Sequence, residues 1–411
     1  MQLLSETSKH AINVIRAEDA IVARLRKQGK KVISLGTGDP AVYFKTPKYI
    51  VDAYVKALRE GKTSYSNVMG IPELREAVAR RQNGLYGGHM AGEDVMVTQG
   101  VSEAITLINA ALIDRGDTAV LFRPYYSPYL SYLRLYGGKV VTGNYIEERN
   151  WTADTDELER TLKKTQKEKK SKYLLIANPN NPTGTVLEEK VLREIVEIAK
   201  NHGMMLISDE IYDEIVYNGA KFTSISKLAK GIPHIILNGA SKCYDSTGFR
   251  IGFLMVPEHD KVSAGVKARL TDLASLRLSP STPSQYALVE GMNNTAQHKK
   301  SIESMRKEIA RRVTFTANLI NRSEYMSTVV PNGAFYIFPK LNMDRLRIRD
   351  DKEFIQKLLK EEQVQIARGS GFGMKDHIRI VALAPKEVLE DSVRRIERFC
   401  KRHSRQSGGI V

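Results

Sequence analysis

Lys242 is the residue in this chain best placed to do covalent chemistry. It closes the stretch Gly239-Ala-Ser-Lys242, directly after the apolar run 235–238. An amine partly desolvated at the end of a buried strand has a lowered pKa, which makes it a nucleophile suited to imine formation. Asp209 follows another apolar run, 204–208, and opens Asp209-Glu-Ile-Tyr212. A carboxylate emerging from a buried strand is costly unless it meets a cation, so Asp209 implies a positive partner; its simpler role is to cap the next turn. The run 173–177 ends in Asn178-Pro-Asn-Asn-Pro-Thr-Gly184, an ordered loop whose asparagines can aim amide donors at a ligand oxygen. After 95–98 comes Gln99-Gly-Val-Ser102, where glycine permits close backbone approach and an opening helix turns free N–H groups toward an anion. Ser102 either adds a hydroxyl donor there or caps the helix. Arg250, in Thr247-Gly-Phe-Arg-Ile-Gly252, returns a fixed positive charge toward the same place.

Together these groups call for one ligand with a phosphate, an aldehyde and a ring nitrogen whose proton is held by a carboxylate. Pyridoxal phosphate has all three, and its enzymes pair a Schiff-base lysine with an acidic partner at the pyridine nitrogen.

The elements that must position these residues are legible from pattern. Short β-branched runs at 95–98, 118–122, 139–142, 173–177, 204–208, 235–238 and 251–255 alternate with amphipathic stretches at 102–113, 127–136 and 187–200. That rhythm predicts a mainly parallel sheet covered on both faces, an α/β fold, with ligands at the carboxyl ends of the strands. The first thirty residues predict a helix leading into a short strand at 31–35, and 47–58 predicts another helix. From about 299–321 the pattern changes to a long helix, paired apolar strands and helices at 352–360 and 386–402. The expected division is a large domain over 46–294 and a small α+β domain built from 1–45 and 295–411. The stretch 404–411 predicts a disordered tail.

Composition narrows the class further. The 411 residues are 42% hydrophobic and 27% charged, ordinary globular usage that argues against a disordered or fibrous chain. No run approaches the roughly 18 apolar residues of a membrane span, residues 1–20 lack the apolar core of a secretory signal, and Cys243 and Cys400 are too few for a disulfide framework. A soluble, cytoplasmic protein is expected. The net charge of +16 comes from 63 Lys and Arg against 47 Asp and Glu. Much of it lies in interleaved helical stretches such as 160–172 and 306–312, which read as solvated faces. With no zinc-finger, RNP-like or basic-zipper motif, neither a nucleic-acid nor a membrane partner is expected. Gly36-Thr-Gly38 lacks the third glycine and following helix of a dinucleotide fingerprint. Cys243 reads as a small packing residue, and His202 as a helix C-terminal residue favoured by the dipole.

The chain resembles the class I aminotransferases, the fold-type I pyridoxal-phosphate enzymes. The motifs that carry the likeness are Gly36-Thr-Gly-Asp-Pro40, Tyr65 with Gly70 and Leu74-Arg75, Gly100-Val-Ser102, Pro124-Tyr-Tyr126, Asn178 to Gly184, Asp209 to Tyr212, Ser241-Lys242, Arg250 and His377-Ile-Arg-Ile380. They fall in the family's order over nearly the whole chain. The resemblance implies a large domain with a seven-stranded sheet and a smaller second domain. It also implies that Lys242 holds the cofactor as an internal aldimine and shuttles the Cα proton. Asp209 would keep the pyridinium protonated, and Asn181 and Tyr212 would hydrogen-bond its phenolic oxygen. Gly100, Val101, Ser102 and Arg250 would hold the phosphate, Tyr126 would stack on the ring, and Tyr65 would reach the phosphate of a neighbouring subunit in a homodimer. Arg379 would pair with the substrate α-carboxylate in the two-pronged geometry that lysine cannot reproduce, with Gly38 offering its backbone.

Two departures stand out. Gly239 occupies the place, three residues before the lysine, where many relatives carry a phosphate-binding serine, which leaves Ser241 as an alternative ligand. Arg277 lies about one residue from the position that reads a side-chain carboxylate in the aspartate-specific branch. The stretches 273–279, 333–339 and 354–366 look most like the alanine aminotransferase branch. The expected activity is therefore ping-pong transfer of an amino group between an L-amino acid, alanine favoured, and a 2-oxo acid such as 2-oxoglutarate. The alternatives are an aspartate aminotransferase, and a β-lyase or decarboxylase on the same scaffold. A cofactor-sensing DNA-binding regulator is disfavoured, because about thirty residues before the first strand are too few for a winged or helix-turn-helix unit.

Overall fold

The computed structural model describes residues 5–11, 13–165, 171–257 and 260–405. Its centre is a sheet of seven main strands, β1 (Val95–Thr98), β2 (Thr118–Arg123), β3 (Lys139–Ile146), β4 (Tyr173–Ala177), β5 (Met205–Asp209), β6 (His234–Gly239) and β7 (Gly252–Met255). They lie in the order β1-β7-β6-β5-β4-β2-β3. All neighbours from β6 to β3 are parallel, while β7 runs antiparallel to both β6 and β1. Every residue of β1, β4, β5, β6 and β7 is buried. Coverage on both faces explains why these strands read as continuous apolar runs instead of alternating ones.

The expected seven strands are all present, and the sheet has one strand more. Thr152–Ala153 folds back antiparallel on the end of β3, too short to show a period in sequence. The strand expected at 204–208 sits one residue later. Asp209 itself pairs with Ala177 and Leu237, so its backbone is held in the ladder while its carboxylate lies at the edge.

Helices pack both faces. Pro72–Tyr86 begins with proline at its first position, where the missing N–H costs nothing. Val101–Leu112 begins immediately after Gly100, whose φ of 76° favours glycine. The long helix Thr295–Ile320 starts at Asn294, whose side chain accepts from Gln297 N. In the last hundred residues, strands Tyr336–Ile337 and Ala367–Arg368 flank Ile378–Val381 in an antiparallel sheet. Ile33–Ser34 pairs in parallel with Val364–Gln365, which brings the beginning of the chain against this region.

Three expectations need correction. Residues 5–30 do not form one helix: a short turn at Glu6–His10 is followed by a helix only at Asp19–Lys27, with Asn13 Oδ1 accepting from Ile15 N at 3.1 Å between them. The helix expected at 352–360 runs over Asp351–Glu362, because Asp350 caps it by accepting from Glu353 N at 2.8 Å. Of the expected disordered tail, Ser404 bridges to Leu346 and Arg405 donates from its backbone to Arg345 O at 2.9 Å; 406–411 lie outside the described residues, as do 166–170 of the basic stretch. No described helix is long and apolar enough to cross a membrane.

Candidate active site

The carboxyl ends of the parallel strands converge on a cavity of about 480 Å³. Lys242 enters it from the turn after β6, Asp209 and Tyr212 from the end of β5, Asn181 from the loop after β4, and Val101 and Ser102 from the loop after β1. Tyr126, Ser241, Arg250 and Gly38 line it as well, and Arg379 closes it from Ile378–Val381. Arg379 lies 198 residues from Asn181 along the chain, yet the two are hydrogen-bonded.

Lys242 Nζ is buried and donates to Gly38 O at 2.6 Å. Desolvation pulls its pKa down to about 8, helped by the charges of Arg379 and Arg250 and opposed by Asp39 and Asp209. A neutral amine is thus within reach near neutral pH. Gly38 must lack a side chain, since a Cβ there would stand 2.5 Å from Tyr336 Oη and 2.8 Å from a Phe335 ring carbon.

Asp209 accepts from Tyr129 Oη at 2.6 Å and from Ile211 N at 3.2 Å. The second bond is the turn-capping role anticipated for it, and it coexists with a place in the cavity wall. Burial pushes its carboxyl up to about 6, against these two donors and the Lys242 charge. A ring cation alongside would hold it ionised.

The anion end is built from backbone. Gly100 is the N-cap of Val101–Leu112, so Ser102 is not the cap and its hydroxyl stays free of that duty. A Cβ on Gly100 would meet Arg250 Nη2 at 2.5 Å, which packs the guanidinium against the helix N-terminus. Arg250 is itself in the left-handed region at φ 55°, and donates to Thr247 O at 3.0 Å and to Gln99 O at 3.3 Å. A phosphate-sized anion fits beside these groups, an aldehyde fits at Lys242 Nζ, and a protonated ring nitrogen fits at Asp209. The donor set therefore matches pyridoxal phosphate part by part.

Arg379 is fully buried and has no carboxylate within 4 Å among the described residues. Its Nη1 donates to Asn181 Oδ1 at 2.9 Å and its Nη2 to Gly36 O at 2.5 Å, while Nε has no hydrogen-bond partner among the described residues. Tyr336 and Phe372 sandwich the guanidinium with ring centroids at 4.7 Å. Desolvation lowers its pKa, which only nearby tyrosines oppose. A charge this isolated calls for an anion from outside the chain.

The structure also brings in residues that motif reading passed over. Tyr336 Oη lies 2.7 Å from Tyr212 Oη, and Tyr129 holds Asp209. Their only sequence signals were aromatic positions in Gly333 to Pro339 and in the first turn of the helix after Tyr126. Arg16 and Asn13, from the N-terminal stretch, line the mouth. Tyr65 does not enter its own chain's Lys242 cavity: it is 79% exposed, in an adjoining hollow that shares Arg250. Arg277 is also outside, 2.8 Å from Glu103 and donating to the carbonyls of Val68 and Val97. Cys243 is buried, with its thiol pushed well up by desolvation, and His202 ends the helix Glu189–Asn201 with Nε2 3.0 Å from Glu159. Both sit as packing and helix-end residues.

Comparison with known proteins shows the family and the fold. The family model described as aminotransferase class I and II matches residues 30–396. An aspartate aminotransferase of Bacillus subtilis is 32% identical over 98% of this chain and 100% of its own. The glutamate-pyruvate aminotransferase AlaA of Haemophilus influenzae is 33% identical over 92% of each chain. Among solved structures, an alanine aminotransferase from Pyrococcus furiosus superposes with a TM-score of 0.91 at 36% identity, covering 97% of this chain and 100% of that one. An aspartate aminotransferase from Thermus thermophilus with maleate gives 0.88 at 29% identity, covering 97% and 100%. The chain belongs to the class I and II aminotransferases, with their fold-type I architecture, and is a pyridoxal-phosphate-dependent transaminase.

Proposed function

We propose that this transaminase takes L-alanine as its favoured amino donor and 2-oxoglutarate as acceptor, in two half-reactions at Lys242. The single observation that carries a substrate carboxylate into the site is Arg379, buried beside the cavity without a counter-ion. Asn181 and Gly36 O hold its planar fork at fixed angle, so a carboxylate arriving there is gripped at two points.

When bound, the cofactor supplies an aldehyde for the amino group and a ring that accepts electrons from Cα. The chain does the rest. Asp209 holds the proton on the ring nitrogen. Asn181 and Tyr212 hydrogen-bond the ring oxygen, and Tyr336 fixes the Tyr212 hydroxyl. Gly100, Val101, Ser102 and Arg250 hold the phosphate, with Ser241 beside them, and Tyr126 covers the ring. Lys242 Nζ, which lies in the same cavity and donates to Gly38 O, would take the Cα proton and return it. Tyr65, exposed beside Arg250, completes the phosphate site of a second subunit in a homodimer.

The lean to alanine rests on Arg277, which is engaged by Glu103 and two backbone carbonyls outside the cavity. The longer acceptor is supported by Arg16 at the mouth, whose side chain is 66% exposed and can meet a distal carboxylate. Both relatives named for aspartate and relatives named for glutamate-pyruvate transfer stand at similar identity, so aspartate is the competing donor. The test is a single-turnover screen of alanine, aspartate, glutamate and aromatic amino acids, following aminated cofactor and stoichiometric 2-oxo acid. Faster conversion by aspartate than by alanine would overturn the donor assignment. Ammonia or carbon dioxide in place of aminated cofactor would replace transfer with β-elimination or decarboxylation.

A further inference from the structure

A second cavity, of about 840 Å³, lies outside the Lys242 site. It opens between the helix Pro72–Tyr86, the stretch 213–222 and the start of the helix Thr295–Ile320. Its volume is in the range of roughly 300–1,000 Å³ typical of small-molecule sites. Leu85, Phe222, Met292 and Ile302 give it apolar walls.

Its charges are unevenly matched. Asp213 and Glu214 are both taken by Arg81, at 2.9 and 2.5 Å, and His298 Nε2 lies 2.9 Å from Glu214. Glu303 is taken by Lys307 at 2.9 Å. Arg80, Lys299 and Arg306 also line the cavity, and none of them has a carboxylate within 4 Å among the described residues. Lys307 lowers the pKa of Glu303, Arg306 and Lys299 lie near enough to lower it further, and Arg80 donates to Asn293 Oδ1 at 3.2 Å. Yet Arg80, Arg81, Lys299 and Arg306 face only Asp213, Glu214 and Glu303 in this lining. Apolar walls under a rim richer in cations than in carboxylates suit a ligand with an apolar body and an anionic group.

The floor of this cavity is the reverse side of the catalytic loops. Tyr244, two residues after Lys242, stacks on His298 with ring centroids 4.2 Å apart and planes at 20°. Asp213, next to Tyr212, accepts from Tyr86 Oη and Asn238 Nδ2, both at 2.9 Å. We propose that this cavity is a second ligand site, for a small organic anion with an apolar body, and that its occupant is felt at Lys242 through Tyr244. The binding half stands apart from the choice of substrate; the link to Lys242 rests on that lysine carrying the cofactor.

The test uses the purified, cofactor-loaded protein and the fluorescent probe 1-anilinonaphthalene-8-sulfonate, an aromatic anion. Gly84 lines the cavity in a helix, and a Cβ added there meets nothing within 4 Å, so Gly84→Trp starts in open space at the cavity wall and carries its ring into the volume a ligand would need. The probe should bind saturably, persist in excess 2-oxoglutarate, and change the absorbance of the Lys242-bound cofactor at fixed pH. Gly84→Trp should weaken binding by about tenfold or more, and Arg306→Glu by about threefold. Absence of saturable binding, displacement by 2-oxoglutarate, or equal binding by both variants and the parent would each overturn the site. Saturable binding with an unchanged cofactor spectrum would overturn the link to Lys242.

Discussion

Two buried arginines on either side of the catalytic loops face opposite electrostatic problems. Arg81 is met by two carboxylates of its own chain, Asp213 and Glu214, and its pKa is raised well above the ordinary value despite burial. Arg379 is met by an amide oxygen, a carbonyl oxygen and two aromatic faces, and its pKa is lowered by desolvation. The first charge is satisfied by folding, and the second is left for a ligand to satisfy. Burial of a cation therefore does not by itself mark a site; burial without an anion does.

That contrast predicts what each substitution does. Lys242→Ala, which removes the amine from the cavity that Arg379 closes, should abolish the absorbance of covalently held cofactor and lower turnover by more than ~10⁴-fold. Residual transamination near the parent rate would break the assignment. Arg379→Ala should cost about 10²–10³-fold in kcat/KM for every amino acid tested, with little loss of melting temperature, because no partner charge is stranded. Arg81→Ala should do the reverse. It leaves Asp213 with neutral donors such as Tyr86 and Asn238, and Glu214 with His298, for a stability loss of about 3 kcal/mol read by urea titration, with catalysis in the folded fraction less affected than in Arg379→Ala. Equal stability losses in the two variants would erase the distinction.

The pH dependence follows from the same two regions. Arg81 and His298 hold the Glu214 carboxyl well below its ordinary value of 4.5, against burial. A carboxyl depressed by folding contributes stability that is present above its unfolded pKa and is lost as pH falls from there through the folded value. Acid should therefore destabilise the parent more steeply below pH 4.5 than it does Arg81→Ala. At Lys242, lowered to about 8, only the neutral amine captures an aldehyde. Cofactor uptake by the apo-protein should rise with pH and level off above about 8; a rise continuing toward 10 would show a lysine with ordinary solvation. The smallest effect expected is that of Tyr336→Phe, which removes the hydroxyl on Tyr212 and should slow turnover by about 2–10-fold.

Much of the site was legible before folding because it sits at strand ends. Lys242, Asp209, Asn181 and Gly100 each follow an apolar run that announces a buried strand, and a parallel sheet delivers all such ends to one edge. Arg250 came from its place eight residues after Lys242, and Arg379 only from the family resemblance. Tyr336, Tyr129 and the opposed roles of Arg277 and Arg379 were not legible, since each depends on a partner far along the chain: Tyr336 on Tyr212, 124 residues away, and Arg379 on Gly36, 343 away. The N-terminal stretch was misread as one helix because composition does not record where Asn13 turns the backbone.

By itself, then, the sequence determined the sheet, the order of the functional groups along its edge and the cofactor chemistry they invite, because periodicity and residue type are local properties. Which charges found partners was decided only by tertiary structure. Arg81, Arg277 and Arg379 are the same side chain in sequence. Long-range packing put carboxylates beside the first two and none beside the third among the described residues.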